Sequence, residues 1–115
     1  MTTASDVFAH HLEAFGAGNI DDILADYTEH TVMIYGDKVW RGLAGARDFF
    51  HMWLDELLPA GCRFDLIDSQ AVDDLVYITW TAESQDFVFD CGTDTFLIEN
   101  SNIVRQTVAT LQRRK

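Results

Sequence analysis

Residues 87–98 read FVFDCGTDTFLI, a single strand whose inward face changes halfway along. Phe87, Phe89 and Cys91 place apolar side chains at odd positions, whereas Phe96 and Ile98 place them at even ones. Period-two alternation marks a strand with one buried face. Such a strand cannot exchange faces without an extra residue or a bend, and Gly92 between the two halves is where a bulge is expected. Long strands kinked at a glycine are how a sheet curls around a cavity. The same change of face puts Asp94 beside Phe96 and Ile98. A carboxylate on an apolar face is costly unless it is paired, hydrogen-bonded or protonated. Two readings follow. Asp94 lines a pocket, where desolvation raises its pKa and lets it donate a hydrogen bond at neutral pH. Alternatively, Gly92-Thr93-Asp94 is a polar bulge whose carboxylate bonds local backbone N–H groups.

The rest of the chain agrees with a curled sheet. From Cys62 onward the pattern is alternation: Phe64, Leu66 and Asp68 against Arg63, Asp65 and Ile67, then Val76, Ile78 and Trp80 against Tyr77, Thr79 and Thr81. Asp73-Asp74 and residues 100–102 supply turns, and residues 103–111 form a last strand. Two short strands lie earlier, at 31–35 (TVMIY) and 39–41, separated by Gly36-Asp37. Helical spacing fills the remainder. Phe8, His11, Leu12 and Phe15 form the inner stripe of a first helix that starts near Thr3 or Ser5 and ends before Gly18. A short second helix capped by Asn19 carries Ile20, Ile23, Leu24 and Tyr27 on one face. The third runs from Gly42 to about Leu58, with Ala46, Phe49, Phe50, Trp53, Leu54 and Leu57 inward, and Pro59 and Gly61 stop it. The expectation is one α+β domain over residues 1–115: a cone-shaped, curved antiparallel sheet and three helices enclosing an apolar pocket.

Composition narrows the function classes. The 115 residues are 48% hydrophobic and carry 8 basic against 19 acidic side chains, a formal net charge of −11. That surface repels phosphate backbones and anionic lipids, so neither nucleic acid nor membrane is an expected partner. The basic end Arg113-Arg114-Lys115 reads as a solvated tail. Cys62 and Cys91, on different strands, read as buried free thiols, with a disulfide as the alternative. No stretch has the order of a signal peptide or the length of a membrane span, and a cytoplasmic location is expected. The four histidines have no metal-ligand spacing, and no glycine-rich phosphate loop, GxSxG or HExxH occurs. No metal or cofactor is therefore expected.

Polar groups on apolar faces are the candidates for chemistry. Asp94 leads. His11 is either a base facing the pocket or a hydrogen-bonded core residue, and Tyr27 either packs its ring or meets a ligand. Tyr35, beside a turn, suits a pocket edge as well as sheet packing. Phe15, Trp40, Phe49, Trp53, Ile78, Trp80 and Phe96 are the expected wall. His30 and His51 look exposed, and the pairs Asp21-Asp22, Asp55-Glu56 and Asp73-Asp74 suit solvated surfaces.

The order helix, AGN, helix, strand, RG, a helix with RDFF, then a meander with GTDTF and a late IVRQ strand resembles the nuclear transport factor 2-like superfamily. Within it, the chain is similar to the SnoaL-like group and the ketosteroid isomerases, from about Phe8 to Leu111. The resemblance implies a cone with a deep pocket for a small hydrophobic molecule, and a homodimer through the sheet. It also implies general acid–base chemistry on a carbonyl compound without a cofactor. In the isomerases an Asp base moves a proton while a Tyr and a protonated Asp hold the enolate oxygen. By that resemblance the protonated Asp is Asp94, the supporting Tyr is Tyr27 and a pocket Phe is Phe49. His11 stands where the oxyanion Tyr would be, Tyr35 at the general base and Phe50 at a second Tyr. A phenol is a poor base at neutral pH, so ketosteroid isomerisation itself is not expected. Isomerase-, cyclase- or hydratase-like chemistry using Asp94 with His11 or Tyr35 is the leading expectation; a non-catalytic binding or dimerisation module on the same fold is the alternative.

Overall fold

The computed structural model describes residues 2–115. Thr3 opens the first helix, α1 (Ala4–Ala17), through a reciprocal cap. The Asp6 N–H donates to Thr3 Oγ1 at 3.1 Å and the Thr3 N–H to Asp6 Oδ2 at 3.0 Å. Two otherwise orphaned donors are satisfied this way, and Thr3→Ala is expected to lower stability by about 1 kcal/mol in a denaturant titration. Gly18, left-handed at φ 69°, ends the helix. Asn19 caps α2 (Ile20–Leu24), one turn shorter than its apolar spacing predicts. Tyr27 consequently starts the first strand, β1 (Tyr27–Tyr35), instead of ending a helix, and is still buried.

After β2 (Lys38–Arg41), the amphipathic α3 (Gly42–Met52) buries Ala46, Phe49 and Phe50. Its continuation widens into a π-helical segment, Trp53–Leu57, closed by Leu58 N–H donating to Trp53 O at 2.7 Å. The wider turn brings both Trp53 and Leu58 inward, each 3% exposed. Burying aromatic and aliphatic side chains of this size contributes roughly 1.5–3 kcal/mol apiece, so this face carries much of the core energy.

Four long strands follow: β3 (Arg63–Val72), β4 (Leu75–Glu83), β5 (Phe87–Glu99) and β6 (Asn102–Arg114). The sheet order is β2-β1-β6-β5-β4-β3. The α+β architecture, three helical segments on one face of a curved and unclosed six-stranded sheet, is the expected one. One pairing differs: β1 runs parallel to β6, joining Tyr35 to Val108, while the others are antiparallel. β2 returns to the end where β1 begins, and α3 with its continuation crosses to the opposite end, so that after three antiparallel turns β6 runs in the direction of β1.

The change of face in β5 is present, but its extra residue is not Gly92. Register jumps from Phe89–Gln112 to Cys91–Leu111 and from Ala82–Phe89 to Trp80–Gly92, which puts the bulge at Asp90-Cys91. Phe89 faces in before it; Gly92, Asp94, Phe96 and Ile98 face in after it. Cys91 therefore points outward and is exposed, and Cys62 is half-buried, so neither is the buried thiol its apolar neighbours suggest. No helix among the described residues is long and apolar enough to cross a membrane.

Candidate functional site

Asp94 sits mid-sheet, level with Ile78 on β4 and Val108 on β6, and is 9% exposed. Trp80 Nε1 donates to its Oδ1 at 2.8 Å and Gln106 Nε2 to its Oδ2 at 3.0 Å. The Tyr27 hydroxyl in turn donates to Gln106 Oε1, and its oxygen lies 3.5 Å from His11 Nδ1. With the Tyr27 hydrogen committed to Gln106, the last contact is a weak one in which the imidazole donates. One line of polar groups thus crosses the apolar interior: Trp80, Asp94, Gln106, Tyr27, His11.

Burial sets the charge state of that line. It pushes the Asp94 carboxyl up to about 6, against the pull of the Trp80 and Gln106 donors. It pushes His11 down to about 4, helped by the neighbouring His10. The Tyr27 phenol is raised by burial and by the carboxylates of Asp94 and Asp26. At neutral pH the interior therefore holds a carboxylate, a neutral imidazole and a neutral phenol. The protonated, donating Asp94 expected from its apolar face is corrected: two N–H donors aimed at its oxygens favour the anion, which accepts hydrogen bonds.

The two adjacent histidines have opposite environments. His10 faces the α1–α2 seam, with Nδ1 2.6 Å from Asp26 Oδ2 and Nε2 3.0 Å from Asp22 Oδ1, and its pKa is raised, foremost by the Asp26 bond. His11 turns into the aromatic cluster, its ring 5.2 Å from Phe96, 5.7 Å from Phe50 and 5.9 Å from Tyr27.

A cavity of about 50 Å³ lies over Asp94. His11, Phe15, Phe49, Trp53, Ile78, Trp80, Asp94 and Phe96 all contribute to its wall. Three expected residues do not. Tyr27 stands one step behind, reaching Asp94 only through Gln106. Tyr35 is half-buried, and its hydroxyl is bound to Thr110 Oγ1 and Gln112 Oε1, both at 2.9 Å. Trp40 packs on Phe49 with ring centres 5.1 Å apart. Tyr35 therefore stands apart from Asp94 and His11.

Three features escaped the sequence reading. Gln106, 2% exposed, bridges Asp94 and Tyr27; as a polar residue alternating with Val108 on an inward face, it carries the signal that singled out Asp94. Phe8, Leu12, Phe50, Leu58, Phe64 and Val108 also line the cavity. Trp53 Nε1 is buried without a hydrogen-bond partner, an unpaired donor on a side chain lining the cavity. Among the described residues no three His, Cys, Asp or Glu side chains converge as a metal-ligand set.

The SnoaL-like domain family matches residues 8–106. The chain is a member of the SnoaL-like family. Solved structures of the same fold include a Sinorhizobium meliloti protein provisionally assigned as a polyketide cyclase (TM-score 0.73, 12% identity, 90% of this chain and 93% of that one). A Kribbella flavida protein provisionally assigned as a ketosteroid isomerase superimposes with TM-score 0.79 at 10% identity, over 97% of this chain and 80% of that one. SalBIII, an epoxide hydrolase/cyclase-like enzyme of pyran-ring formation in the polyether salinomycin, gives 0.79 at 17% identity, over 94% and 90%. At such identities the likeness fixes the SnoaL-like fold and leaves the chemistry to the site. No protein of curated function matches the sequence.

Proposed function

We propose that this SnoaL-like chain binds a small, apolar, carbonyl-bearing compound over Asp94 and performs cofactor-free acid–base chemistry on it. The observation that carries the reading is an ionisable carboxylate with a pKa of about 6 in the wall of an apolar cavity. A base with that value is deprotonated at neutral pH yet basic enough to take an activated proton. The carbon next to a carbonyl supplies such a proton. Neutral His11, in the same wall, is the second proton-handling group. Isomerisation and aldol-type cyclisation share this first step, and in hydration the same carboxylate takes its proton from the attacking water. The cyclase- and isomerase-like names among the structural relatives agree with it. The cytoplasm is the compartment this reading implies.

The test needs no known substrate. Aromatic, alicyclic and open-chain ketones are screened by thermal shift at pH 7.5, and ligands that bind are incubated with the protein in D₂O while proton NMR follows exchange next to the carbonyl. Asp94→Asn is expected to slow exchange by about 10²–10⁴-fold, the usual contribution of a positioned base. Exchange that survives Asp94→Asn unchanged rejects Asp94 as the base.

A second reading has its own support. A cavity of about 50 Å³ is small because Trp53, Trp80 and Phe96 fill most of the cone. A non-catalytic module, pairing as a homodimer through the outer face of β4, fits that packing. Tyr77, Thr79 and Thr81 alternate with the buried positions there, and Tyr77 is 41% exposed. Sedimentation at micromolar concentration is expected to give a dimer, and Tyr77→Glu a monomer; a wild-type monomer rejects the pairing.

A further inference from the structure

The space over Asp94 is too small for a ring system. An apolar cavity of about 150 Å³ is the size that holds a benzene-like guest. The 50 Å³ here admits about two or three heavy atoms. The apolar surface does not stop there. A groove of about 320 Å³ opens between the end of α1 and the Pro59-Ala60-Gly61-Cys62 turn, with Leu66 of β3 at its far side. Leu12, Phe15, Leu58 and Phe64 line both spaces, so the two share a wall of four apolar side chains.

We propose that the ligand is an extended chain: a carbonyl-bearing head over Asp94, and an unbranched apolar tail that passes between the four shared side chains and lies in the groove. The inference rests on the functional reading above and narrows its substrate class. Volume argues for it first, because a head of two or three heavy atoms cannot fill a binding site alone, whereas the adjoining groove offers about six times the room. Charge argues for it as well. The chain carries a net charge of −11, yet every residue lining the groove is uncharged. An apolar groove lying against a cavity that holds a buried carboxylate sorts a ligand by length and polarity end to end. Rigid fused-ring ketones are excluded, since their carbonyl cannot reach Asp94 without part of a ring entering the inner space.

The experiment is a homologous series of 2-alkanones from four to nine carbons, with a rigid bicyclic ketone as control. Each is titrated by calorimetry into wild type and Leu66→Asp. Leu66 is already 39% exposed, so the substitution leaves the core intact, and a thermal scan of the variant confirms it. Affinity is expected to rise by roughly threefold to fourfold for each added methylene beyond the head. Leu66→Asp is expected to leave the four-carbon ketone unchanged and to weaken the nine-carbon ketone at least tenfold. Binding of short ketones with no gain along the series overturns the inference alone. The same gain in Leu66→Asp, or a bicyclic ketone that binds as tightly as the nine-carbon chain, overturns it equally. Absence of binding by every ketone overturns the functional reading, and the inference with it.

Discussion

Gly92→Ala is expected to destabilise the protein by about 3–5 kcal/mol, the sum of overpacking a filled core and losing a hydrogen bond to a charged group. A Cβ at position 92 meets Trp80 Cε2 at 2.2 Å, Cζ2 at 2.3 Å and Cδ2 at 2.6 Å. Toward three neighbouring rings the indole has no room to retreat. It is wedged against Phe64 at 5.3 Å, Phe89 at 5.7 Å and Trp53 at 6.1 Å between ring centres, and its N–H is fixed on Asp94. For a domain of this size the loss corresponds to a drop in Tm of roughly 12–20 °C. Trp80→Leu removes the obstructing ring, so adding Gly92→Ala to that background is expected to change stability by less than about 0.5 kcal/mol. A full-size second loss in the Trp80→Leu background would mean that the glycine is needed for its own backbone and not for the indole.

That residue also marks the limit of what one strand reveals. Alternation in residues 87–98 requires an inserted residue, but it does not say which one, because either side of a bulge preserves the two faces. Only the cross-strand partners show that Asp90-Cys91 is the insertion and that Gly92 serves Trp80. Asp94 was legible because a carboxylate breaks an apolar face, and Gln106 breaks its own face in the same way. Tyr35 was not legible. Its inward or outward value depends on the parallel register with β6, which brings its hydroxyl to Thr110 and Gln112. The helical spacing of Ala46 to Leu57 places the third helix and its buried side correctly. The π-helical widening at Trp53 leaves no trace in that spacing, yet it helps bring Trp53 and Leu58 to the cavity wall. Fold follows from periodicity within each segment. The site depends on register between segments, which a single sequence does not carry.

The charge states of the interior predict a pair of opposite pH responses. Asp94 titrates at about 6 in the fold against 3.8 unfolded, so its burial penalty is absent below pH 3.8 and grows as pH rises through 6. His11 titrates at about 4 against 6.5, so its contribution is present above pH 6.5 and is lost as pH falls to 4. Each shift corresponds to about 3 kcal/mol, and over pH 4–6.5 the two slopes have opposite sign and nearly cancel. Removing one group exposes the other. Asp94→Asn keeps a connected network, because Gln106 can turn its amide to accept from the new Asn and donate to Tyr27. Its stability is expected to fall by about 3 kcal/mol relative to wild type between about pH 7 and 4. His11→Phe suits a site bordered by Phe15, Phe50 and Phe96, and its stability is expected to rise by about the same amount over that range. His10 and Asp26, whose pKa values are also raised, remain in all three proteins, so their own pH dependence is common to the three apart from the repulsion between His10 and His11. Urea titrations at half-unit intervals read the three curves. Diverging slopes for the two variants establish that the interior holds one titrating acid and one titrating base within reach of neutral pH. Parallel slopes would mean that water screens both groups, and Asp94 would then lack the raised pKa on which its role as a base depends.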